Sequence, residues 1–338
     1  MTHDGLFDFE FRMRDIDKNC DPLVALNKMV NWENFRSILE RVYEKERKSL
    51  AGRKPHDVVM MFKILVLQSL YNLSDDSVEF QIQDRLSFMR FLSLTLADRV
   101  PDAKTVWLFR QRLIELSLVE KLFRQFDEIL ERNGFAARKG QIVDASIIAA
   151  PRQRNSREEN KKIKSGEKIE GWSDEKARQK DTDARWVKKN KVNHYGYKNH
   201  ISVDVKHKFV RNYAVTDASV HDSQVFDELL DPDNSSRDVW ADSAYSSAEQ
   251  LGSLSEQGYR EHVQRKGRRN HPLTPREIQG NHTRAKTRAR VEHIFGIQSM
   301  RAGGNLVIRT IGLARARAKI GLRNLSYNLS RYARFVSA

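Results

Sequence analysis

Residues 141–148, with the sequence QIVDASII, form a short run of branched apolar residues with one carboxylate, Asp144, near its centre. The run follows Gly140 and has the length and composition of a buried strand. The segments before it have apolar residues at helical spacing, and the segments after it alternate between strand and helix patterns. The run therefore predicts where an all-helical region ends and an αβ region begins.

The region before Gly140 is predicted to be helical throughout. Residues 57–71, DVVMMFKILVLQSLY, place apolar side chains at helical spacing. Ser74 and Asp102 each precede a helical pattern and are of the residue types that cap helix N-termini, and Asn133-Gly134 is a typical C-terminal stop. We expect a helical N-terminal domain over residues 1–135. Such short helices occur both in helix-turn-helix DNA readers and in plain bundles, and the pattern favours neither.

The region after residue 135 is predicted to be an α+β or α/β domain that extends to residue 338. Residues 195–218 read as two strands that turn at Lys206-His207, and helix and strand patterns alternate after them. Between Arg152 and Lys191 there are 14 basic and 8 acidic residues and few apolar ones. We therefore expect residues 152–193 to be a charged, partly flexible insertion outside the core.

The net charge of +15 is concentrated at the C-terminal end of the chain. From Arg260 onward there are 18 Lys and Arg residues against three Glu residues, whereas the preceding part is balanced. A local basic surface attracts polyanions, and nucleic acid is the usual partner of this kind in a cell. A solubility tail and an RNA- or membrane-binding stripe remain alternatives. Apolar residues such as Phe295 and Leu313 interleave with the Arg residues, which favours folded helices and DNA binding.

The composition excludes several other classes of protein. Apolar residues make up 39% and charged residues 31% of the chain, which is typical of a soluble globular protein. The longest apolar run, from Val58 to Leu67, contains Lys63 and is about half as long as a bilayer span. Cys20 is the only cysteine, so an intramolecular disulfide and a thiolate metal cluster are excluded. With no export signal at the N-terminus, we expect a cytoplasmic protein that has no membrane partner.

Two strand carboxylates and one helix carboxylate are the candidate functional residues. Asp144 lies inside an apolar strand, where an uncompensated charge is costly, and Asp242 ends the strand DVWAD. Glu292 is the only acid after Glu277. An ordinary i,i+4 ion pair with Arg288 on the surface of a helix is its structural explanation. For Asp144 and Asp242 a cap or turn role is the more common one. Together with a basic surface, however, three carboxylates suit two Mg²⁺ ions that promote phosphodiester displacement.

Other candidate residues and motifs are weaker. His221 and Asp222 are residue types that bind metals, but they precede a helix, where a cap is the favoured role, and the same holds for Asp217. His282, His293 and Lys266 are of types that contact phosphate. The sequence contains no P-loop, paired-cysteine or nucleophile-elbow motif, which argues against nucleotide hydrolysis by a P-loop, zinc fingers and serine hydrolysis.

Several blocks of the sequence together resemble the insertion-sequence-five transposases. The block GRKPHDVVMMFKILVLQSL, from residue 52, resembles the helical N-terminal region of that family. IVDASIIAAPRQRN, KDTDARW, HYGYKNHISVD, VTDASVHDSQ, WADSAYSS and ARVEHIFG resemble the successive blocks of its catalytic half. The resemblance covers nearly the whole chain and implies a DDE transposase, with a ribonuclease-H-like catalytic domain that has a mixed sheet and flanking helices.

The resemblance also implies which residues act. Asp144, Asp242 and Glu292 are the catalytic and metal-binding residues, with two Mg²⁺ ions expected and Mn²⁺ as an alternative. In the family signature around the last acid, Arg288 matches, whereas Ala285 stands at the Tyr position and Ser299 at the Lys position. In this basic region the expected DNA contacts are Arg288, Arg301, Lys266, Arg268 and Arg269.

The function implied by the resemblance is DNA transposition. The protein is expected to bind double-stranded DNA at the terminal inverted repeats of its element, to cleave phosphodiester bonds there and to transfer the 3′-hydroxyl strand into target DNA. A homodimer or a higher oligomer on DNA is expected, because two ends must be joined. The alternatives are an inactive, transposase-derived DNA-binding protein and a ribonuclease-H-like nuclease without strand transfer.

Overall fold

The computed structural model describes residues 8–44, 54–189, 191–269, 271–304 and 306–337. These residues divide into two compact units. The first unit contains the chain up to Glu128 together with the residues from Leu322 onward, and the second is Ile129–Gly321. No single helix among the described residues is long and apolar enough to cross a bilayer, and one consecutive pair of helices reaches that composition only across a bend of 101°.

The described part of the first unit is helical, as the sequence predicts. Its elements are α1 (Asp8–Lys18), α2 (Pro22–Met29), a 3-10 turn (Trp32–Phe35), α3 (Arg36–Glu40), α4 (Val58–Tyr71), α5 (Asp75–Asp84), α6 (Leu86–Leu92), α7 (Ala103–Glu115) and most of α8 (Leu118–Arg132). Ser74 and Asp102 are confirmed as caps: the Ser74 hydroxyl accepts from the Ser77 N–H at 3.0 Å, and the Asp102 carboxylate from the Thr105 N–H at 2.6 Å.

Helix α4 is the central helix of this unit, since most of its side chains are buried. The only charged one, Lys63, donates to Asn27 Oδ1 at 2.8 Å and lies over the rings of Trp32 and Phe91. Burial disfavours the charge inside an apolar helix, and these contacts compensate it. The long apolar run therefore forms a core helix.

The second unit contains one sheet and the helices around it. The strands are β1 (Gln141–Ala149), β2 (Arg185–Lys189), β3 (Val192–Asp204), β4 (Val210–Asp217), β5 (Asp238–Ala241) and β6 (Arg260–Val263). The helices are α9 (Arg157–Ser165), α10 (Asp174–Gln179), α11 (Phe226–Leu229), α12 (Ala248–Glu256), α13 (Pro275–Arg301) and the first part of α14 (Leu313–Val336).

The strand order is β2-β3-β1-β5-β6, with β4 also paired to β3. β3 runs antiparallel to β1 and β4, whereas β1, β5 and β6 are parallel. The long β3 pairs with β2 near its start and with β4 further along. This arrangement confirms the ribonuclease-H-like mixed sheet with flanking helices.

Gly196 allows β3 to pass close to β1. Its φ is +155°, and a Cβ at this position would lie 2.1 Å from the carbonyl oxygen of Ile148. Any side chain would therefore push the two strands apart at the point where β3 changes its partner from β2 to β4.

The end of the chain differs from the predicted organisation, which assigned all residues after 135 to one domain. The last part of α14 belongs to the first unit. Leu325 and Leu329 are fully buried, and the Tyr332 ring meets the Phe126 ring edge to face at a centroid distance of 5.8 Å. The apolar face of this helix explains the difference, because it completes the core of the helical unit.

The segment 152–193 is the one predicted to be a charged, partly flexible insertion. It is largely exposed, as expected, but it contains α9, α10 and β2. Ser156 and Glu159 form a capping box at the start of α9. Near its end, the buried carboxylate of Asp181 accepts from the hydroxyl of Tyr197 at 2.8 and 2.7 Å. Local caps and this buried hydrogen bond supply order that a count of charged residues does not reveal.

Candidate active site

Asp144 lies on β1, and Asp242 directly follows β5, the parallel neighbour of β1. In the β1–β5 ladder Gln141 pairs with Val239 and Ile142 with Trp240. Two residues further along the same register is the Asp144–Asp242 position. Asp242 follows β5 directly and caps a 3-10 turn, where its Oδ1 accepts from the Ala244 N–H at 2.8 Å. The fold therefore brings together two acids that are 98 positions apart in the sequence.

The carboxylate of Asp144 is buried, with 9% of the residue exposed. Burial, the largest effect, raises the pKa of Asp144 to about 6. The charge of Arg288, a backbone hydrogen bond and the charge of Lys189 oppose the rise, whereas the charge of Asp242 adds to it. Burial thus disfavours the ionised form of Asp144, and a nearby cation favours it.

Glu292 is connected to Asp144 through Arg288 on α13. Arg288 donates from Nη1 to Asp144 Oδ2 at 2.9 Å and from Nη2 to Glu292 Oε1 at 3.3 Å. The i,i+4 pair considered from the sequence is thus present, but the same guanidinium also reaches β1. The side chain of Glu292 is 62% exposed. Arg288 therefore lies between an exposed helix carboxylate and a buried strand carboxylate.

The three predicted acids do not form a ready-made metal cluster. Among the residues that the structure describes, no group of three or more His, Cys, Asp or Glu side chains is placed to hold a metal ion. Asp144 and Asp242 are close enough for the charge of Asp242 to affect Asp144, and a guanidinium compensates Asp144. Carboxylate oxygens that need a cation suit Mg²⁺ or Mn²⁺ in their chemistry. The donor set therefore fits a divalent ion at the Asp144–Asp242 pair.

A buried polar group adjoins this pair. The Tyr245 side chain is fully buried, and its hydroxyl has no hydrogen-bond partner among the described residues. Burial, then the charges of Asp222, Asp144 and Asp242, raise the pKa of Tyr245 well above its ordinary value. Asp222 in turn forms an ion pair with Lys198 Nζ at 2.8 Å. Tyr245 is therefore a neutral hydroxyl among carboxylates.

The structure revises the interpretation of the His221-Asp222 pair. His221 is the cap of the following 3-10 turn, since its Nδ1 accepts from the Ser223 N–H at 3.3 Å. Asp222 is not the cap, because its carboxylate is turned to Lys198 and also lies 3.8 Å from His200 Nδ1. Burial lowers the pKa of His200 to about 4, despite the opposing charge of Asp222. Asp217 is a local turn residue, as expected, and accepts from the Ser219 N–H at 2.8 Å.

A cleft of about 380 Å³ opens beside Asp144. The residues after Asp144 on β1 line it together with Lys189, His194 and Phe295. Phe295 lies three residues after Glu292 on α13. An ammonium group, an imidazole and an aromatic ring are groups that contact phosphates and bases in nucleic-acid sites.

The predicted DNA contacts lie at different places in the second unit. Lys266, Arg268 and Arg269 are exposed in the connection between β6 and α13, and Arg301 is the half-buried last residue of α13. The two signature positions that depart from the family are on α13 as well. Ala285 is half-buried there, and the Ser299 hydroxyl donates to the carbonyl oxygen of Gly304 at 3.3 Å. Ser299 thus has a local role at the end of the helix.

Comparison with known families identifies the chain. Residues 136–329 match the model of the family described as Transposase DDE domain, and residues 11–112 match the Transposase domain (DUF772). The first match alone covers more than half of the chain. The chain is a DDE transposase. The two matches in this order confirm the resemblance to the insertion-sequence-five type, and DDE transposases generally use divalent metal ions.

One solved structure that is similar to the transposase is a cryo-EM structure of a piggyBac transposase synaptic complex with hairpin DNA. The sequence identity is 14%, the TM-score is 0.47, and the match covers 94% of this chain and 76% of that chain.

Two residues beside the site of the transposase, Tyr245 and Lys189, are not evident from the sequence, and a third, Asp222, is evident only in other roles. Tyr245 follows Asp242 by three positions in WADSAY. This spacing becomes informative only when the 3-10 turn after β5 is known. Lys189 is one of many basic residues in its segment. In the sequence Asp222 is a candidate cap or part of a metal pair. Its ion pair with Lys198 joins β3 to the loop after β4, and a contact between segments so far apart is not visible in the sequence.

Proposed function

We propose that the transposase binds double-stranded DNA at the inverted repeats of its own element, cleaves phosphodiester bonds there, and transfers the freed 3′-hydroxyl into target DNA. The observation that carries the proposal is that Asp144 on β1 and Asp242, directly after the parallel strand β5, are close enough for their charges to interact, beside a basic helix. Carboxylates on neighbouring strands, with an arginine alongside, provide both a cation site and a phosphate contact.

In this proposal Asp144 and Asp242 hold two Mg²⁺ ions, or Mn²⁺, and Glu292 completes the set of ligands. Bound divalent ions supply activation of the attacking oxygen and stabilisation of the leaving oxygen. Arg288 orients the carboxylates of Asp144 and Glu292 and contacts a DNA phosphate when it is released from them. Strand transfer needs no nucleotide cofactor, because one phosphodiester bond forms as another breaks.

The proposed DNA path follows the positive charge of the catalytic unit. Lys189 at the cleft beside Asp144 is placed to meet a phosphate near the reacting one, with Phe295 available to stack on a base. Lys266, Arg268, Arg269 and Arg301 extend the positive charge further along the second unit. These side chains hold the DNA backbone whatever its sequence.

The helical unit is proposed to recognise the element ends and to support a homodimer or a higher oligomer on DNA. An oligomer is proposed because two element ends must be held in one complex for their joint transfer. We propose that the transposase acts in the cytoplasm, on nucleoid DNA.

The experiment uses labelled element ends and a supercoiled target plasmid, with Mg²⁺ or with EDTA. Joined products that need the metal support transposition. Simple cuts without joined products indicate a ribonuclease-H-like nuclease, and binding without cuts indicates an inactive DNA-binding derivative. Either of these two results rejects the proposed function.

A further inference from the structure

The hydroxyl of Tyr245 is buried among described residues that offer it no hydrogen bond. The ring belongs to the apolar cluster that contains Val239 and Leu254, and it packs on the Phe226 ring at a centroid distance of 4.8 Å. The hydroxyl has no hydrogen-bond partner among the described residues. A buried donor without an acceptor lowers stability, and a phenylalanine would fill the same space without that loss. The hydroxyl therefore needs an explanation other than packing.

The surroundings of this hydroxyl are acidic. The charges of Asp222, Asp144 and Asp242 all act on it, and together with burial they raise the pKa of Tyr245 far enough to keep the phenol protonated. Tyr245 is therefore a permanent donor at neutral pH. It lies in a 3-10 turn that begins at its cap, Asp242, so the backbone fixes its position relative to this carboxylate.

The neighbouring carboxylates have other partners in the metal-free chain. Asp144 accepts from Arg288 and from its own neighbouring backbone N–H, and Asp242 Oδ1 accepts from the Ala244 N–H. Asp222 is paired with Lys198. A carboxylate has about four acceptor positions, so Asp144 and Asp242 can each accept a further hydrogen bond.

Resting on the proposed function, we propose that Tyr245 is a positioning residue of the Asp144–Asp242 pair. Its hydroxyl donates to a carboxylate oxygen of this pair when the pair binds a divalent cation, and it thereby fixes the orientation of the ligand. Carboxylates that bind metals are usually held by hydrogen bonds from a surrounding layer of residues. The energetic cost of the unused donor in the metal-free chain is recovered when the cation binds.

The test measures Mn²⁺ binding to the full chain by the electron paramagnetic resonance signal of free Mn²⁺, together with the unfolding temperature in EDTA. The variants are Tyr245→Phe and the matched control Tyr259→Phe, whose ring lies in the same apolar cluster. Asp144→Asn defines which part of the Mn²⁺ binding belongs to the site.

The expected result separates metal binding from stability. Tyr245→Phe weakens the Asp144-dependent Mn²⁺ affinity by about 10-fold or more, the usual effect of losing a partner of a metal ligand. Its unfolding temperature in EDTA is no lower than that of the parent. Tyr259→Phe keeps the affinity within about twofold, because Tyr259 directly precedes β6 and is not part of the turn that Asp242 caps.

Any of three results overturns the proposal. Tyr245→Phe binds Mn²⁺ with the parental affinity, its unfolding temperature in EDTA clearly drops, or Asp144→Asn removes none of the Mn²⁺ binding of the parent. Mn²⁺ binding does not require DNA cleavage. If the parent binds Mn²⁺ at Asp144 but leaves the element ends uncut, the proposed function fails while the role of Tyr245 is still decided by its variant.

Discussion

Arg288 holds Asp144 across the fold: the guanidinium of helix α13 donates to the buried carboxylate of strand β1 at 2.9 Å, while its other amino group donates to Glu292. One side chain thus joins the two proposed catalytic acids that are furthest apart in the sequence. This relationship makes the stability of the catalytic unit depend on the charge of Asp144.

The first prediction concerns removal of this counter-charge. Arg288→Met should lower the free energy of unfolding at pH 7.5 by about 1–2 kcal/mol, less than for a fully buried pair because the Arg288 side chain is 21% exposed. Chemical denaturation in EDTA measures the change. The control is Lys286→Met, an exposed cation on the same helix, which should change stability by less than about 0.5 kcal/mol. Equal stability of the two variants would show that the Arg288–Asp144 contact contributes nothing.

The second prediction follows from the raised pKa of Asp144. This carboxyl titrates near its ordinary pKa of 3.8 in the unfolded chain and at about 6 in the fold, so folding favours its protonated form. The resulting loss of stability is absent below pH 3.8, grows as the pH rises through 6 and is complete at pH 7.5. Asp144→Asn should therefore stabilise the metal-free protein at pH 7.5 by about 1–3 kcal/mol.

Denaturation of parent and Asp144→Asn protein in EDTA at pH 4.5 and pH 7.5 checks this dependence. The advantage of the variant should be smaller at the lower pH. A variant that is less stable than the parent at pH 7.5 would mean that the Arg288 ion pair outweighs the cost of burial.

The third prediction concerns the anchor of segment 152–193. Tyr197→Phe removes the hydroxyl that donates to the buried carboxylate of Asp181, and it should lower stability by about 1.5–3 kcal/mol because the acceptor is charged. Tyr195→Phe is the matched variant, since the Tyr195 hydroxyl donates to the backbone carbonyl of Asp181 at 2.9 Å. Its effect should be about 1 kcal/mol. The same loss in both variants would contradict a charged anchor at Asp181.

Much of the fold could be predicted from the sequence because its signals are local. The caps at Ser74 and Asp102 mark where helices begin, and Lys206-His207 lies in the turn between β3 and β4. The edge strand β2 was missed, because its residues, RWVKK, are largely charged and their strand pairing is provided by β3. That the C-terminal part of α14 lies in the first unit could not be predicted, because an apolar helix face does not indicate its partner.

The residues of the candidate site could be proposed from the sequence, but their arrangement could not. Asp144 and Asp242 stood out as carboxylates in or after apolar strands, and a parallel sheet brings such ends together. That Arg288 contacts Asp144 as well as Glu292 could not be predicted, since only its i,i+4 neighbour is visible in the sequence. The surroundings of Tyr245 depend on loops after β4 and β5, and no local pattern reports them.

The fourth prediction concerns the exposed basic residues between β6 and α13. The double variant Arg268→Ala, Arg269→Ala should weaken binding to duplex DNA similarly for all sequences, and it should reduce the slope of log affinity against log salt by about 2. Fluorescence anisotropy at several salt concentrations measures both quantities. Lys176→Ala is the control, because Lys176 lies outside the proposed DNA path and pairs with Glu159. An unchanged slope in the double variant would remove these two residues from the DNA path.

The most direct test of the account is Mg²⁺-dependent cleavage of DNA that carries the element ends. The parent should cleave only with the metal, and Asp144→Asn and Asp242→Asn should each lose about 100-fold or more in rate, because a ligand matters at least as much as its surrounding partners. Asp217→Asn, which alters an acid of a local turn, should cleave like the parent. Cleavage by Asp144→Asn or Asp242→Asn at the parental rate would contradict the central claim that these two carboxylates form the metal site.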